Sequence, residues 1–256
     1  MILLPIAPIL QRNSDFEPIS LSEMDTVKLL NRTDTKYLFA NELLPDLLER
    51  LRPHYQMLEI NGRRGADYQT LYFDTPQLEL YHAHQSGRLN RYKIRQRSYV
   101  NTGLKFTEIK HKNNKGRTIK TRLEQELPLG DLQQPCLYDF LTQGIPHSPN
   151  DLKPILWVDY TRLTLVNLQT NERVTLDLNL TFRNQYQQIG PFQVVIAEVK
   201  QDKAGGSFFA RLMKEHHIRE GGISKYCLGV LSLYPNVKQN RFKRKFNQFK
   251  KAAQLI

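Results

Sequence analysis

The segment Arg91-Tyr-Lys93-Ile-Arg95-Gln-Arg97 places a basic residue at every second position. Alternate residues of a β-strand point to the same face, so this spacing predicts a strand with a row of cations along one face. Like charges side by side on a sheet are destabilising unless an anion or carboxylates neutralise them. The segment therefore predicts either a solvated sheet face with interleaved Asp and Glu, or a face that holds an anion.

The same period-two alternation recurs along most of the chain and predicts a mainly antiparallel sheet. An open sheet would show its charged face to water, whereas a closed barrel would enclose that face and need helices over its apolar outside. We predict an α+β fold: a mainly antiparallel closed β-barrel with a polar cationic lumen, flanked by several short helices. The predicted strands lie at 31–39, 55–60, 67–73, 88–100, 104–112, 117–127, 155–166, 172–180 and 193–200.

Helices are predicted where capping residues precede apolar stretches. Asn41 is the predicted cap of a leucine-striped helix that covers or plugs the barrel, and Thr75-Pro76 begins a second helix that ends before Gly87. Ser207 and Ser224 are predicted caps of two more helices near the C-terminus. The segment 128–154, rich in Pro, Gln and polar residues, is predicted to be a long loop or insertion.

Composition limits the class of protein and its partners. The chain has 256 residues, 40% hydrophobic and 24% charged, which predicts one large folded domain. A net charge of +12 favours anionic partners such as phosphates, nucleic acid or membrane headgroups. The two cysteines, Cys136 and Cys227, have no metal-type or disulfide-scaffold spacing, so a reducing, cytoplasmic location is the expectation. The apolar start, 1–10, is far shorter than the roughly 20 residues that span a bilayer and is predicted to be a peripheral arm.

The C-terminal stretch 236–251 combines cations with Phe242, Phe246 and Phe249 at helical spacing. The first interpretation is a helix whose phenylalanines pack on the parent domain, and the second is binding to an acidic membrane surface or to nucleic acid. We therefore divide the chain into an N-terminal arm at 1–24, a main domain at 25–235 and a basic amphipathic tail at 236–256.

The ordered set of motifs along the chain resembles a known family. Its members are Arg32-Thr-Asp34-Thr-Lys36-Tyr37, Leu71-Tyr-Phe-Asp74-Thr75, Lys93-Ile-Arg95-Gln-Arg97-Ser-Tyr99, Glu108-Ile-Lys110-His-Lys112, Asp159-Tyr160-Thr-Arg162, Thr175-Leu-Asp177, Glu198-Val-Lys200 and Ser224-Lys225-Tyr226. Together they are similar to the VTC domain, the catalytic domain of the vacuolar transporter chaperone polyphosphate polymerases. That domain belongs to the triphosphate tunnel superfamily, which also contains the CYTH proteins. The resemblance covers roughly residues 25 to 245.

The resemblance implies a tunnel barrel in which basic side chains hold phosphates and a carboxylate holds Mn²⁺ or Mg²⁺. The residues to which it assigns the catalytic contacts are Arg95, Arg97, Lys110, Arg162 and Lys225. Those expected to bind substrate are Lys36, Lys120, Tyr160, Lys200 and Ser224. Glu198 matches the metal ligand, and Asp177 is a further metal candidate. On its own, Ser224 would be a plain helix cap and Lys225 a solvated cation.

Three functions are carried forward from the sequence. The first is a polyphosphate polymerase that moves the terminal phosphoryl group of ATP onto polyphosphate; export of the polymer would then need a separate membrane partner. The second is a CYTH-like enzyme that hydrolyses or cyclises a triphosphate, but Arg32 stands where such enzymes resemble one another in carrying the first Glu of Glu-x-Glu-x-Lys. The third is a binder of polyphosphate without turnover, and no specific nucleic-acid partner is expected.

Overall fold

The computed structural model describes residues 15–24, 33–201 and 206–255. The strands are β1 Pro18–Ile19, β2 Thr33–Ala40, β3 Gln56–Leu58, β4 Ala66–Asp74, β5 Arg91–Tyr99, β6 Lys105–Lys112, β7 Thr118–Gln125, β8 Lys153–Asn167, β9 Glu172–Arg183, β10 Gln188–Ile189 and β11 Val194–Gln201. The helices are α1 Leu21–Met24, α2 Leu44–Leu51, α3 Glu79–Ser86, α4 Pro135–Gly144, α5 Phe208–Glu215, α6 Lys225–Leu233 and α7 Lys243–Ala252. Every predicted strand is present within a few residues of its predicted bounds. Arg32 and the segments 1–14 and 25–31 lie outside the described residues.

One sheet contains all the strands, and its main path runs β2-β11-β9-β8-β4-β5-β6-β7. The neighbours along this path pair antiparallel, as predicted. Among the described residues no hydrogen-bonded ladder joins β2 to β7, so the prediction of a barrel closed by hydrogen bonds is not confirmed. The sheet nevertheless curls, since the start of α6 contacts both sides of it, through Ser224 to Lys93 of β5 and through Lys225 to Asp177 of β9.

The apolar convex face of this sheet is covered by helices. Leu44, Leu47, Leu48 and Leu51 of α2 are buried in one cluster with the outer residues of β2, β8, β9 and β11, and α5 adds to that cluster. This confirms the predicted covering role of the leucine-striped helix. Its predicted cap, however, is wrong: Asn41 lies in a 3-10 turn, Asn41–Leu43, and its side chain donates to Gln193 instead.

The segment 128–154 is not a featureless loop. It contains α4, whose Leu141 packs with Ile94, Ile109 and Phe73 on the convex face of β4 to β6. Only Leu137 and Leu141 of α4 are fully buried, so its apolar stripe is too short to stand out among the surrounding polar residues. The segment therefore covers the part of the sheet that α2 and α5 do not reach.

Helix α6 lies against the concave face at one end of the sheet. Leu228, Val230 and Leu231 pack there with Leu156 and Phe182 in the second large cluster. The approach is close at Gly229, where a Cβ atom would come within 2.6 Å of Leu156 Cδ2. The sequence of α6 thus combines a serine cap, a glycine and an apolar run, which together allow it to fill one end of the curled sheet.

Helix α7 packs behind α6 through its phenylalanines. Phe249 is fully buried, with its ring centroid 5.0 Å from that of Phe192, and Phe242 and Phe246 are partly buried against the same cluster. This confirms the first interpretation of the basic tail, a helix held on the parent domain. Among the described residues, each helix is too short or too polar to span a bilayer.

Asp74 ties α3 and α6 to the end of β4. Its carboxylate accepts the backbone N–H groups of Thr75 at 2.8 Å, Leu80 at 2.8 Å and Tyr81 at 2.9 Å, together with the hydroxyl of Tyr226. This network explains why α3 begins at Glu79 rather than at the predicted Thr75-Pro76, since Asp74 gathers the helix-terminal N–H groups.

Asp74→Asn is expected to lower the free energy of unfolding by about 1–3 kcal/mol, because an amide nitrogen would face at least one buried donor. Asp139→Asn on the exposed side of α4 is the matched control. Chemical denaturation of both variants measures the effect. Equal stability of the two variants would contradict the assigned network.

Candidate functional site

The strand register places the predicted site residues on one face. Lys93, Lys110 and Lys120 are cross-strand partners on β5, β6 and β7, and cross-strand partners share a face. Glu198 on β11 pairs with Thr175 on β9 and with Lys36 on β2. The apolar residues that α2, α5 and α4 cover occupy the alternate positions of these strands and therefore point to the convex face. The charged residues between them point to the concave face.

The key arginines are enclosed rather than solvated. Arg95 and Arg97 are each 7% exposed, and the side chain of Arg162 is 17% exposed. Burial of cations requires compensating charge or polar contacts. The interpretation of a solvated sheet face is therefore wrong for these residues.

Glu108 compensates the first group of cations. Its side chain is fully buried, and Arg95 Nε donates to Glu108 Oε2 at 2.6 Å while Lys120 pairs with Glu108 Oε1. Burial opposes ionisation of Glu108, but Arg95, Arg97 and Lys120 outweigh it and hold its pKa well below the usual value. Arg95 also donates to the hydroxyl of Tyr72 at 3.2 Å, so its position is fixed from two sides.

Asp177 compensates the second group. Arg162 forms two parallel hydrogen bonds with it, Nε to Oδ1 at 2.6 Å and Nη2 to Oδ2 at 2.9 Å, and Lys225 pairs with Oδ2. Burial opposes ionisation of Asp177, but Arg162 and Lys225 hold the pKa of this carboxyl well below its usual value. Because its oxygens already face two cations, Asp177 is a poorer metal candidate than Glu198 in this arrangement.

A stacked tyrosine pair lies among the remaining cations. The rings of Tyr68 and Tyr160 are parallel within 7° at 5.0 Å. The Arg162 guanidinium lies 5.0 Å from the Tyr68 centroid, that of Arg97 lies 5.2 Å from it, and Lys225 Nζ lies 4.5 Å from the Tyr160 centroid. The negative faces of the rings help to offset the repulsion between these cations.

The N-terminus of α6 joins both sides of the concave face. Ser224 caps the helix by accepting from the N–H of Cys227, and the same hydroxyl accepts from Lys93 Nζ at 2.9 Å. Lys225, the next residue, reaches Asp177 on β9. Ser224 is therefore both a cap and part of the charged cluster, and Lys225 is not a solvated cation.

Glu198 is the carboxylate with the loosest pairing in this cluster. Its distance to Lys200 Nζ is 3.9 Å, and the side chain is 20% exposed. Burial opposes its ionisation, but Lys36, Lys200, Arg162 and Lys225 lower its pKa overall, so it is ionised at neutral pH. An ionised, accessible oxygen donor fits a hard divalent cation, which takes its other ligands from phosphates and water. No group of three metal-ligating side chains occurs among the described residues.

Several residues of the cluster were missed as site candidates from the sequence. They are Tyr68, Thr70, Tyr72, Lys93 and Glu108, which contact the predicted arginines or Ser224 directly. Period two in Tyr68-Gln-Thr70-Leu-Tyr72 already placed three of them on one face. Only the register of β4 with β5, which sets Tyr72 opposite Arg95, shows that this face is the charged one.

Comparison with known proteins assigns the family. The VTC domain model matches residues 31–128 and 143–234. The chain belongs to the VTC domain family. This confirms the resemblance to the VTC domain that the ordered motifs implied. No curated protein sequence matches the VTC-domain chain.

Solved structures align with this chain at low sequence identity. HpAC1 from Hippeastrum, described as having a dominant triphosphatase activity, aligns at a TM-score of 0.50 with 14% identity, over 78% of this chain and 96% of its own. PH1819 from Pyrococcus horikoshii aligns at 0.44 with 12% identity, over 78% of this chain and 99% of its own. A protein from Vibrio parahaemolyticus aligns at 0.46 with 14% identity, over 80% and 99%.

The charged cluster also predicts a pH dependence of anion binding. Arg95, burial and Arg97 together lower the pKa of Lys110 to about 5 in the anion-free protein, so its amine is mostly neutral at pH 7. A bound polyanion would favour the ammonium form and raise that pKa, so binding should take up a proton. Affinity for tripolyphosphate should therefore fall as the pH rises from about 5, the pKa of Lys110 in the anion-free protein, to the higher pKa of Lys110 in the anion-bound protein.

Calorimetric titration at pH 7, in buffers of different ionisation enthalpy, measures this proton uptake. Lys110→Met should abolish the proton uptake by the protein and leave the proton uptake by tripolyphosphate itself. Equal uptake by the wild type and the variant would contradict the assignment to Lys110.

Proposed function

We propose that this chain is a metal-dependent phosphotransferase of the polyphosphate polymerase type, which moves the terminal phosphoryl group of ATP onto a polyphosphate chain. The observation that carries the proposal is the enclosed set of cations on the concave face. Arg95, Arg97, Arg162 and Lys225 are held there by buried carboxylates and aromatic rings. Phosphoryl transfer depends mainly on positioning and on neutralising phosphate charge, and it needs no nucleophilic side chain.

Each part of the cluster has a task in this proposal. Arg95, Arg97 and Arg162 would neutralise the equatorial oxygens of the transferred group, because a guanidinium engages phosphate with two parallel hydrogen bonds. Lys36, Lys110, Lys120, Lys200 and Lys225 would act as point charges along the rest of the polyanion. The ring of Tyr160 would hold Arg162 and Lys225 in place through cation–π contacts, and Ser224 would orient Lys93 through a hydrogen bond.

The proposed metal ion is Mn²⁺ or Mg²⁺, held by Glu198. Glu198 would hold this ion, which would supply positive charge to offset the negative charge that develops on the phosphate. Asp177 could join Glu198 only by giving up contacts with Arg162 or Lys225. The family resemblance, which matches Glu198 to the metal ligand, and the close ion pairs of Glu108 and Asp177 both favour Glu198 as the main ligand.

The second candidate is a triphosphatase that hydrolyses the same substrate. The fold shared with HpAC1, a protein described as mainly a triphosphatase, favours it. Against it, the two-metal mode of hydrolysis needs several free carboxylates. Glu108 and Asp177 are not free, because each lies in a close ion pair with an arginine.

Product analysis separates these functions. Purified protein is incubated with ATP and Mn²⁺, and polyphosphate chains and free phosphate are resolved over time. We expect long chains, with free phosphate a minor product. Free phosphate without chains would support the triphosphatase, and salt-sensitive binding with neither product would support a binder.

A further inference from the structure

A cleft of about 960 Å³ lies outside the concave face, between α3, the start of β5 and the end of β6. Its walls include His82 of α3, Arg88 just after α3, His111 of β6 and His147 in the segment after α4. Lys238, which precedes α7, closes one side. The residues that line it in the described part of the chain include none of those proposed above to hold phosphate or metal. The cleft is therefore separate from the proposed active site.

The cleft carries an excess of positive charge. Arg88, Arg91 and Lys238 line it, and Arg91 Nη1 donates to the backbone oxygen of Arg88 at 2.6 Å. Glu79 is the only carboxylate among the described lining residues, and it lies 3.4 Å from His147 Nε2. Three cations facing one carboxylate that already has a partner favour an anionic ligand.

Two imidazoles of the cleft have unsatisfied polar atoms. His111 Nε2 and His147 Nδ1 are buried and have no hydrogen-bond partner among the described residues. Buried polar atoms in native proteins nearly always have a partner, which for these nitrogens would be an ordered water or a ligand.

An aromatic surface completes the cleft. The rings of Tyr92 and His111 stack with their centroids 4.3 Å apart and their planes within 6°. Both residues line the cleft, so a planar ligand could extend this stack. Cations, hydrogen-bonding imidazoles and a stacking surface together match the chemistry of phosphate-bearing ligands.

We propose that this cleft is a second binding site, which takes a phosphate-bearing anion independently of the concave face. Two sources supply that chemistry: a nucleoside triphosphate, which would also use the stacked rings, and inorganic polyphosphate, which would use the cations alone. Arg91 belongs both to the cleft and to the basic row on β5. An anion in the cleft would therefore act at one end of that row.

The test is a calorimetric titration of the full chain with two probes, inorganic tripolyphosphate and a non-hydrolysable ATP analogue. The cleft variant is Arg88→Gln with Lys238→Gln, and the control is Arg63→Gln with Lys115→Gln, two cations that are exposed elsewhere on the surface. Wild type and control should show two classes of site. In the cleft variant, the affinity of one class of site should fall by about tenfold for each cation removed.

The two probes identify the ligand, and the concave face is tested separately. A larger loss for the ATP analogue than for tripolyphosphate assigns the site to a nucleotide, and equal losses assign it to phosphate alone. The cleft class should persist in a variant whose concave face is disabled, Arg95→Leu with Glu108→Leu, so failure of the proposed active site leaves this result intact.

A second measurement covers the case in which the cleft variant does not fold. In wild type, proton resonances of His111 and His147 should shift when either probe is added. A single class of site in wild type, or two classes unchanged in the cleft variant, would overturn the proposal. So would histidine resonances that stay unmoved at saturating probe.

Discussion

Glu198→Gln is expected to lower ATP turnover by about 10²–10³-fold while the protein remains folded. Gln keeps the size of the side chain but removes the charge that Lys36 and Lys200 face on the concave side. A neutral amide is a weak ligand for Mn²⁺ or Mg²⁺. The concentration of metal needed for half-maximal turnover should therefore rise sharply.

The metal titration distinguishes this role from a purely structural one. Glu126→Gln, an exposed carboxylate after β7, is the matched control and should keep wild-type metal dependence. Binding of tripolyphosphate without metal should not weaken in Glu198→Gln, since removal of a negative charge favours an anion. Wild-type turnover with unchanged metal dependence would refute Glu198 as the ligand.

Arg95→Ala is expected to abolish turnover and also to destabilise the fold. The loss of a preorganised cation should cost about 10²–10³-fold in rate. The variant also leaves the fully buried Glu108 with Lys120 as its remaining ion pair, and breaking a buried pair costs about 3–5 kcal/mol. The single variant therefore mixes two effects.

The double variant Arg95→Leu with Glu108→Leu separates these effects. Replacing both members of a buried ion pair with apolar residues is often neutral or stabilising, so denaturation should show recovery of most of the lost stability. Turnover should remain lost, because the cation is still absent. Recovery of both stability and turnover would mean that Arg95 serves only the fold.

The alternation of charged and apolar residues was sufficient to predict the sheet. In β5, and in β9 as far as Leu178, it set the cations on the face opposite the apolar residues, and the register kept that parity up to the irregularity between Leu178 and Thr181. This is why the clustering of Arg95, Lys110, Arg162 and Glu198 on one face was predictable without coordinates. The serine caps of α5 and α6 were also predictable, because a cap depends only on residues close to it in the sequence.

Features that depend on distant contacts were not predictable. Tyr72 and Glu108 became part of the site only because β4 and β6 flank β5. The start of α3 depends on Asp74, whose four donors come from the turn before α3, from α3 itself and from α6. Closure of the barrel was inferred from alternation and from the family resemblance, although alternation specifies the faces of a sheet and not the pairing of its edges.

The most direct test is a crystal structure with Mn²⁺ and a non-hydrolysable ATP analogue. We predict the triphosphate on the concave face, with Arg95, Arg97, Arg162 and Lys225 on its oxygens and Mn²⁺ at Glu198. An analogue bound only outside the concave face, with these side chains still in the pairs described above, would contradict the proposed function.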